Sequence, residues 1–232
     1  MAPPAAHGLS AGFTDEANLP FIDGEAIVID KPAGLPVDRP RRGGACLDDY
    51  LPALSFGFQR YPAAVHRLDQ DTSGCLLLAR NPKALKRFGA AFAEGRVAKR
   101  YLGVLAGEPE GDGGVIDLPL GKTSSAERGW RMVVDERGKP SVTHWRRIAA
   151  HDGLTLVEFR PETGRTHQIR VHALAGLGVP LLGDPVYGAP HRQGLMLHAV
   201  SLHIERPGKT PVDAHAPLPQ RFIDLGFAAN GG

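Results

Sequence analysis

The chain has 232 residues, of which 42% are hydrophobic and 22% charged, with a net charge of +2. That is enough apolar material to bury a sizeable core in one domain, or in one domain with two lobes, and it excludes a disordered or histone-like polymer. The longest apolar runs fall far short of the ~20 residues that a membrane helix needs, and no segment reads as a signal peptide, so a cytoplasmic protein is the natural expectation.

Residues 1–19 are rich in Ala, Pro and Gly, lack periodicity, and read as a flexible arm ahead of a domain at 20–225. Ala26-Ile27-Val28-Ile29 is a short buried strand closed by the turn signal Lys31-Pro32-Ala33-Gly34. Arg39 to Gly44 reads as a basic loop with Arg41 and Arg42 at its centre. Cys75 to Ala79 is a second buried strand. Cys75 lies in an apolar run and reads as core, and neither it nor Cys46 has metal or redox spacing.

Asn81-Pro82 opens a helix, with Asn as N-cap and Pro in the first turn. Leu85, Phe88 and Phe92 share one face, and Gly95 ends it. Its outer face and exit carry Lys83, Lys86, Arg87, Arg96, Lys99 and Arg100, opposed in this stretch only by Glu94. Such a face is either an ordinary solvated surface or a patch that meets phosphates.

Tyr101 to Ala106 is a further strand, and the Gly-rich, polar residues 111–140 read as irregular hairpins. Leu154 to Phe159 is a strand, Thr163-Gly164-Arg165 a turn, and Thr166 to about Ala175 a helix ended near Gly176 or Gly178. Met196 to Ile204 reads as a last strand. Strands outnumber helices without a regular β-α-β alternation, which predicts an α+β class with a mixed, mostly antiparallel sheet and flanking helices.

Two segments concentrate chemistry. His66-Arg67-Leu68-Asp69-Gln70-Asp71-Thr72-Ser73-Gly74 packs two acids, an Arg, a His and two hydroxyls into one loop before a buried strand. A turn alone, with Asp71, Thr72 and Ser73 capping backbone groups, would also account for part of this set, and for Asp71 that reading is preferred. Asp69 is open to either a structural or a catalytic role. Thr163 to His172 places Arg165 after a glycine at the mouth of a helix. His167 and His172 are five residues apart with no Glu between them, which is not the spacing of a helical zinc pair, and no metal is expected. Arg165 is either a surface ion-pair partner or, facing Asp69, a group that keeps a carboxylate ionised. Leu181 to Gly188, with two glycines and Asp184-Pro185, reads as an architectural turn.

Taken together, Ile27 to Pro36 (IVIDKPAGLP), His66 to Gly74 (HRLDQDTSG), Lys99 to Leu105 (KRYLGVL), Thr163 to His172 (TGRTHQIRVH), Gly183 to Gly188 (GDPVYG) and Leu197-His198-Ala199 resemble the RluA family of pseudouridine synthases. The resemblance runs from about residue 20 to about 222, in the family's order and spacing. It implies the pseudouridine synthase catalytic fold with a central RNA-binding cleft, and an isomerase that needs no cofactor. It implies Asp69 as the catalytic carboxylate, Arg165 as its partner and Tyr101 as the active-site tyrosine that stacks on the base. It implies a weaker RNA-opening role for Arg67. The chain looks like the compact subgroup without an N-terminal S4-type domain. The expected partner is transfer RNA or large-subunit ribosomal RNA, with no DNA and no membrane, and the expected state is a monomer. Two other readings stay open: a catalytically silent RNA-binding protein on the same fold, and a metal-dependent hydrolase using His66, Asp69, His167 or His172.

Overall fold

A computed structural model describes residues 11–41, 43–127 and 129–227. In chain order the strands and helices are β1 (Phe21–Ile22), β2 (Ala26–Lys31), β3 (Ala63–Ala64), β4 (Ser73–Ala79), α1 (Pro82–Ala93), β5 (Val97–Leu105) and β6 (Gly113–Asp117). There follow β7 (Leu120–Ser125), β8 (Gly129–Val134), β9 (Val142–His151), β10 (Leu154–Pro161), α2 (Gln168–Leu177), β11 (Leu197–Ile204), β12 (Val212–His215) and α3 (Gln220–Ile223). The class is α+β with a mixed, mostly antiparallel sheet, as expected, and the ladders β1–β2, β2–β4, β3–β4, β5–β10, β9–β10, β6–β9, β11–β12 and β7–β8 are antiparallel. No described helix is long and apolar enough to cross a membrane.

Two compact units emerge, one of Met1–Ala98 with Ala199–Ala216, the other of Lys99–His198 with Pro217–Gly232. In the first, strands run in the order β1-β2-β4-β11, with β3 on β4 and β12 on β11. Every residue of β4 is buried, which accounts for its unbroken apolar sequence. Helix α1 begins as its sequence predicts. The Asn81 side chain accepts from the Ala84 N–H at 2.8 Å, and Pro82 occupies the first turn. Ala84, Phe88 and Ala91 bury into a core shared with Val28, Leu77 and Leu202, and Leu85 and Phe92 flank it. Cys75 belongs to that core, and burial pushes its thiol up to about 12, so it is an inert hydrophobe.

Residues 1–10 of the expected arm lie outside the described residues. Ala11–Thr14 and Glu16–Asn18 are 3₁₀ turns, and Phe13 is buried against Tyr50 with ring centroids 5.1 Å apart.

The second unit carries the order β5-β10-β9-β6, together with a separate β7-β8 pair. The segment at 111–140 is more regular than its composition predicts. Only β6 joins the sheet, and β7 and β8 pair from Leu120 opposite Val134 to Ser125 opposite Gly129. Strand β9 escaped sequence reading, although Asp152-Gly153 is a strong hairpin signal. The two residues adopt φ of 50° and 72°, the twin positive values of a type I′ turn. Leu156 pairs with Ala149 and Val157 with Arg147, so Ile148 is bulged out and the alternation that marks a strand breaks there.

One glycine is fixed by close approach. Gly74 has φ of 108°, and a Cβ there would lie 2.2 Å from the Ala199 carbonyl oxygen, inside the same unit. Gly74→Ala should therefore lower the unfolding free energy by roughly 3 kcal/mol, from clash and positive-φ strain together. Denaturant unfolding checks this, and an unchanged midpoint would mean that β4 can move off Ala199 at little cost.

Candidate active site

In the first unit the acidic loop is held from both ends. Leu68 is buried on one side of Asp69, and Thr72 and Ser73 are buried on the other, leaving Asp69 half-buried between them. The Thr72 N–H donates to the Asp69 carbonyl at 3.1 Å, closing a tight turn. Beneath it, β2 ends in Lys31, whose side chain is fully buried. Its ammonium donates to the carbonyls of Pro32 at 2.9 Å, Leu35 at 2.8 Å and Gln70 at 3.0 Å. The Gly34 N–H reaches the same Gln70 oxygen at 2.9 Å. The Lys31-Pro32-Ala33-Gly34 turn and the Asp69 loop are thus stitched into one piece. Sequence reading took Lys31 only for a turn residue. The available signal was a cation directly ending an apolar strand, where a lysine is rarely buried without a purpose.

His66 faces inward. Its Nε2 accepts from the Leu77 N–H at 3.0 Å, and its ring stacks on Phe92 at 4.4 Å between centroids. A ring nitrogen occupied by a backbone donor is a structural acceptor rather than a metal ligand. Arg67 points outward and pairs with Asp38 at 2.7 Å, both side chains being exposed. Among the described residues no cluster of three or more His, Cys, Asp or Glu could hold a metal.

In the second unit, Tyr101 sits on β5 opposite Phe159 of β10, half-buried against the core of Leu105, Phe159 and Ile169. Arg165 is half-buried, with its backbone N–H donating to Gln168 Oε1 at 2.9 Å and its Nε to the Pro140 carbonyl at 3.1 Å. Gln168 organises the whole turn. Its Oε1 also accepts from the Thr163 hydroxyl at 2.8 Å, and its amide donates to the Val142 carbonyl and Thr143 hydroxyl at 2.9 and 3.0 Å. His172 is buried between the Thr143 hydroxyl at 2.9 Å and the Leu118 carbonyl at 3.1 Å, and burial lowers its pKa. It is a neutral core histidine. Arg170 grips Asp184 with two bonds of 2.7 Å, and Asp184 Oδ1 accepts from the Val186 and Tyr187 N–H groups. Burial is the largest single influence and opposes ionisation of Asp184, yet the bond and charge of Arg170 together with the Val186 and Tyr187 N–H groups outweigh it and hold the carboxyl below the usual range. The Gly183 to Gly188 turn is architectural, as its sequence suggests.

The basic residues divide. Arg41, Lys83 and Lys86 are exposed, whereas Arg42 lies outside the described residues. Arg96 pairs with Glu94, and Arg87 with Glu25, an acid that sequence reading of the helix did not count. Arg87 and Lys209 hold the Glu25 carboxyl down at about 2. Arg100 binds the buried Glu158, which also meets Arg160 at 2.7 Å and Arg146 at 3.7 Å. Lys99 is half-buried and donates to the Thr163 carbonyl at 3.3 Å, tying the start of β5 to the Arg165 turn. Asp69 therefore belongs to the first unit, and Tyr101 and Arg165 to the second.

A family model described as RNA pseudouridylate synthase matches residues 25–175. The chain is 58% identical over 210 residues to an uncharacterized RNA pseudouridine synthase of Zymomonas mobilis, covering 89% of this chain and 96% of that one. It is 38% identical to the ribosomal large subunit pseudouridine synthase D of the same organism, over 86% of this chain and 68% of that one. Among solved structures it is similar to human RNA pseudouridylate synthase domain containing 1, with a TM-score of 0.72 and 30% identity over 94% of this chain and 87% of that one. The corresponding human domain-containing 4 protein gives 0.73 and 27% over 89% and 90%.

The Lys99 contact yields a pH signature. Burial pushes its ammonium down to about 8 from 10.5. The unfolded chain then holds the extra proton between those values, so the cost of burying the charge is fully present below about 8 and disappears as pH rises through that window. Stability should rise with pH from 8 to 10.5 more steeply in wild type than in Lys99→Met. Parallel curves from urea titrations would show that the Lys99 ammonium is not desolvated.

Proposed function

Because the chain belongs to the RNA pseudouridylate synthase family, of the RluA type, and so isomerises uridine in RNA to pseudouridine, we propose that Asp69 is the carboxylate that does this chemistry, with Arg165 and Tyr101 as its partners. The observation that carries the assignment is the HRLDQDTSG loop itself. It holds Asp69 half-buried on a turn between buried Leu68 and buried Thr72 and Ser73, tied to the Lys31 ammonium through the neighbouring Gln70 carbonyl, and within the motif Asp69 rather than the equally half-buried Asp71 takes the catalytic position that the family resemblance implies. A site built this way loses little entropy in holding its reactive group.

The reaction breaks the bond between ribose and uracil, turns the base, and rejoins it through carbon. No atom is gained or lost. The Asp69 carboxylate serves either by attacking the sugar or by removing a sugar proton so that a glycal forms, and both routes need it ionised. Arg165 supports it through charge-assisted bonds. The Gln168 bonds that fix the Arg165 backbone prepare that role. Tyr101 offers its ring to the turned-out base and its hydroxyl to a proton.

The substrates best supported are folded transfer RNA, large-subunit ribosomal RNA, or both. A relative named for the ribosomal large subunit favours the second. The target uridine leaves its stack at a cost of a few kcal/mol in general, offset by phosphate contacts and base stacking. Exposed Arg41, Lys83 and Lys86 are the plainest phosphate contacts, with Arg42 beside them in sequence. Arg67, Arg87, Arg96, Lys99 and Arg100 would first have to leave or share the partners described above. We read the protein as a cytoplasmic monomer that uses neither DNA nor membrane.

Incubation with unmodified transfer and ribosomal RNA, followed by position-resolved mapping of pseudouridine, tests this reading. Asp69→Asn should abolish product while RNA affinity stays within about threefold, and substantial turnover would remove Asp69 from its role. Tyr101→Phe should slow turnover tenfold or more while binding holds, since ring stacking survives loss of the hydroxyl. Full activity would leave the hydroxyl no chemical part.

A further inference from the structure

Trp130 and Trp145 are the only tryptophans in the sequence, and they are treated very differently. Trp145 is buried in the second unit's core, whereas Trp130, on β8, is 48% exposed. Leaving an indole in water forgoes the largest apolar burial that any side chain offers. Yet Trp130 is not loose. Its ring stacks on His167 with centroids 5.2 Å apart and planes inclined by 26°, and Lys122 Nζ on the neighbouring strand lies 5.0 Å from the same ring.

His167 is itself tightly placed. It precedes α2 with φ of 55°, a left-handed conformation that few non-glycine residues adopt and that histidine tolerates better than most. Its Nδ1 lies 2.9 Å from the Tyr187 hydroxyl, which accepts the Met132 N–H of β8 at 3.0 Å. Met132 in turn packs with Leu120, Val171 and Tyr187 at the base of the hairpin. The Tyr187 ring also meets the imidazole edge-on, with centroids 5.6 Å apart, so the hydroxyl bond and the ring contact of Tyr187 together place one imidazole, and that imidazole backs an exposed indole. His167 is also two residues from Arg165.

We propose that Trp130, backed by His167, is a stacking platform for one unpaired nucleobase of the RNA substrate, with Lys122 taking the adjoining phosphate. The chemistry fits this occupant. Bases stack on aromatic faces whatever their identity, and the lysine is a flexible cation able to pass from the indole to an anion. A protein partner would not need the paired cation, and a bare phosphate would not need the indole. The inference rests on RNA being the substrate, not on which residue performs the chemistry. Its test reads binding alone, so a failed assignment of Asp69 would leave it standing.

The experiment titrates the full-length protein with a single-stranded oligouridylate of about ten nucleotides at low salt. Intrinsic tryptophan fluorescence is followed alongside an independent binding assay. Wild type should be quenched on binding. Trp130→Phe should lose the RNA-dependent quenching and keep its affinity within about threefold, because a ring remains. Trp130→Ala should bind roughly tenfold more weakly with an unchanged salt slope. Lys122→Gln should lower the slope of log affinity against log salt by about 0.7, one phosphate contact on a single strand. Absence of wild-type quenching, equal affinity of Trp130→Ala, or the same quenching by inorganic pyrophosphate alone would each overturn the proposal.

Discussion

One buried cation joins the acidic loop to the turn that follows β2. An isolated ammonium taken out of water costs several kcal/mol even after relaxation, so a lysine at 0% exposure has to be met by acceptors arranged for it. Lys31 is met by carbonyls from Pro32, Leu35 and Gln70, which belong to two segments nearly forty residues apart in sequence. Neither segment is a helix or a strand at these positions, and each alone would have carbonyls seeking water. The ammonium replaces that water and joins them. The bond to the Gln70 carbonyl places this ammonium one residue from Asp69 along the chain, so the group that joins the two segments also fixes the backbone beside the half-buried carboxylate.

The second unit solves its version of the problem without a buried charge in the turn itself. The Gln168 side chain is both donor and acceptor, and its two ends connect the 163–165 turn to the start of β9. Two residues further along α2, Arg170 and Asp184 form a buried, two-pronged ion pair that fixes the 183–188 turn. Breaking such a pair by removing one partner is costly, because the other is left charged and unpaired. Helix α2 is therefore buried on nearly all its early residues by polar bonds as much as by apolar contact. This is why its apolar pattern is a poor guide to it. The residues Gln168, Arg170 and His172 would be surface groups on an ordinary amphipathic helix, and here each is buried with a dedicated partner.

The contrast shows what the sequence makes legible. Helix α1 announces itself through Asn81, Pro82 and the Leu85, Phe88, Phe92 spacing, because its signals are local and one face is plainly apolar. Strands β2 and β4 are readable because burial on both faces leaves unbroken apolar runs. Strand β9 is obscured because the bulge at Ile148 shifts the side-chain phase halfway along it. The β7–β8 hairpin is obscured because only its base, near Leu120, is packed, so the remaining positions carry no burial pattern. The site follows the same logic. Asp69, Tyr101 and Arg165 are proposed from motifs that resemble a family, whereas Lys31 and Gln168 stand in those same motifs but act through long-range bonds that only the fold reveals. The basic residues around α1 look equivalent in sequence, yet ion pairs to Glu25, Glu94 and Glu158 separate them, and two of those acids come from distant strands or turns.

A division of labour follows from where order resides. The Asp69 loop and the Arg165 turn are each held by several bonds to buried groups, which keeps their backbones in one place. The β7–β8 hairpin is held chiefly at its root, through Met132, Leu120 and the Tyr187 hydroxyl, and its outer positions are exposed. An enzyme acting on a large folded polymer needs both kinds of surface. Chemistry on one nucleotide tolerates displacements well below an ångström, whereas contacts to the rest of the RNA gain from side chains that can adjust to a backbone of varying course. His167 joins the two regimes, since it lies within the fixed turn and carries the indole of the looser hairpin. His167 lies two residues from Arg165, so a change at the hairpin that altered His167 would reach the same turn that the Gln168 bonds hold in place.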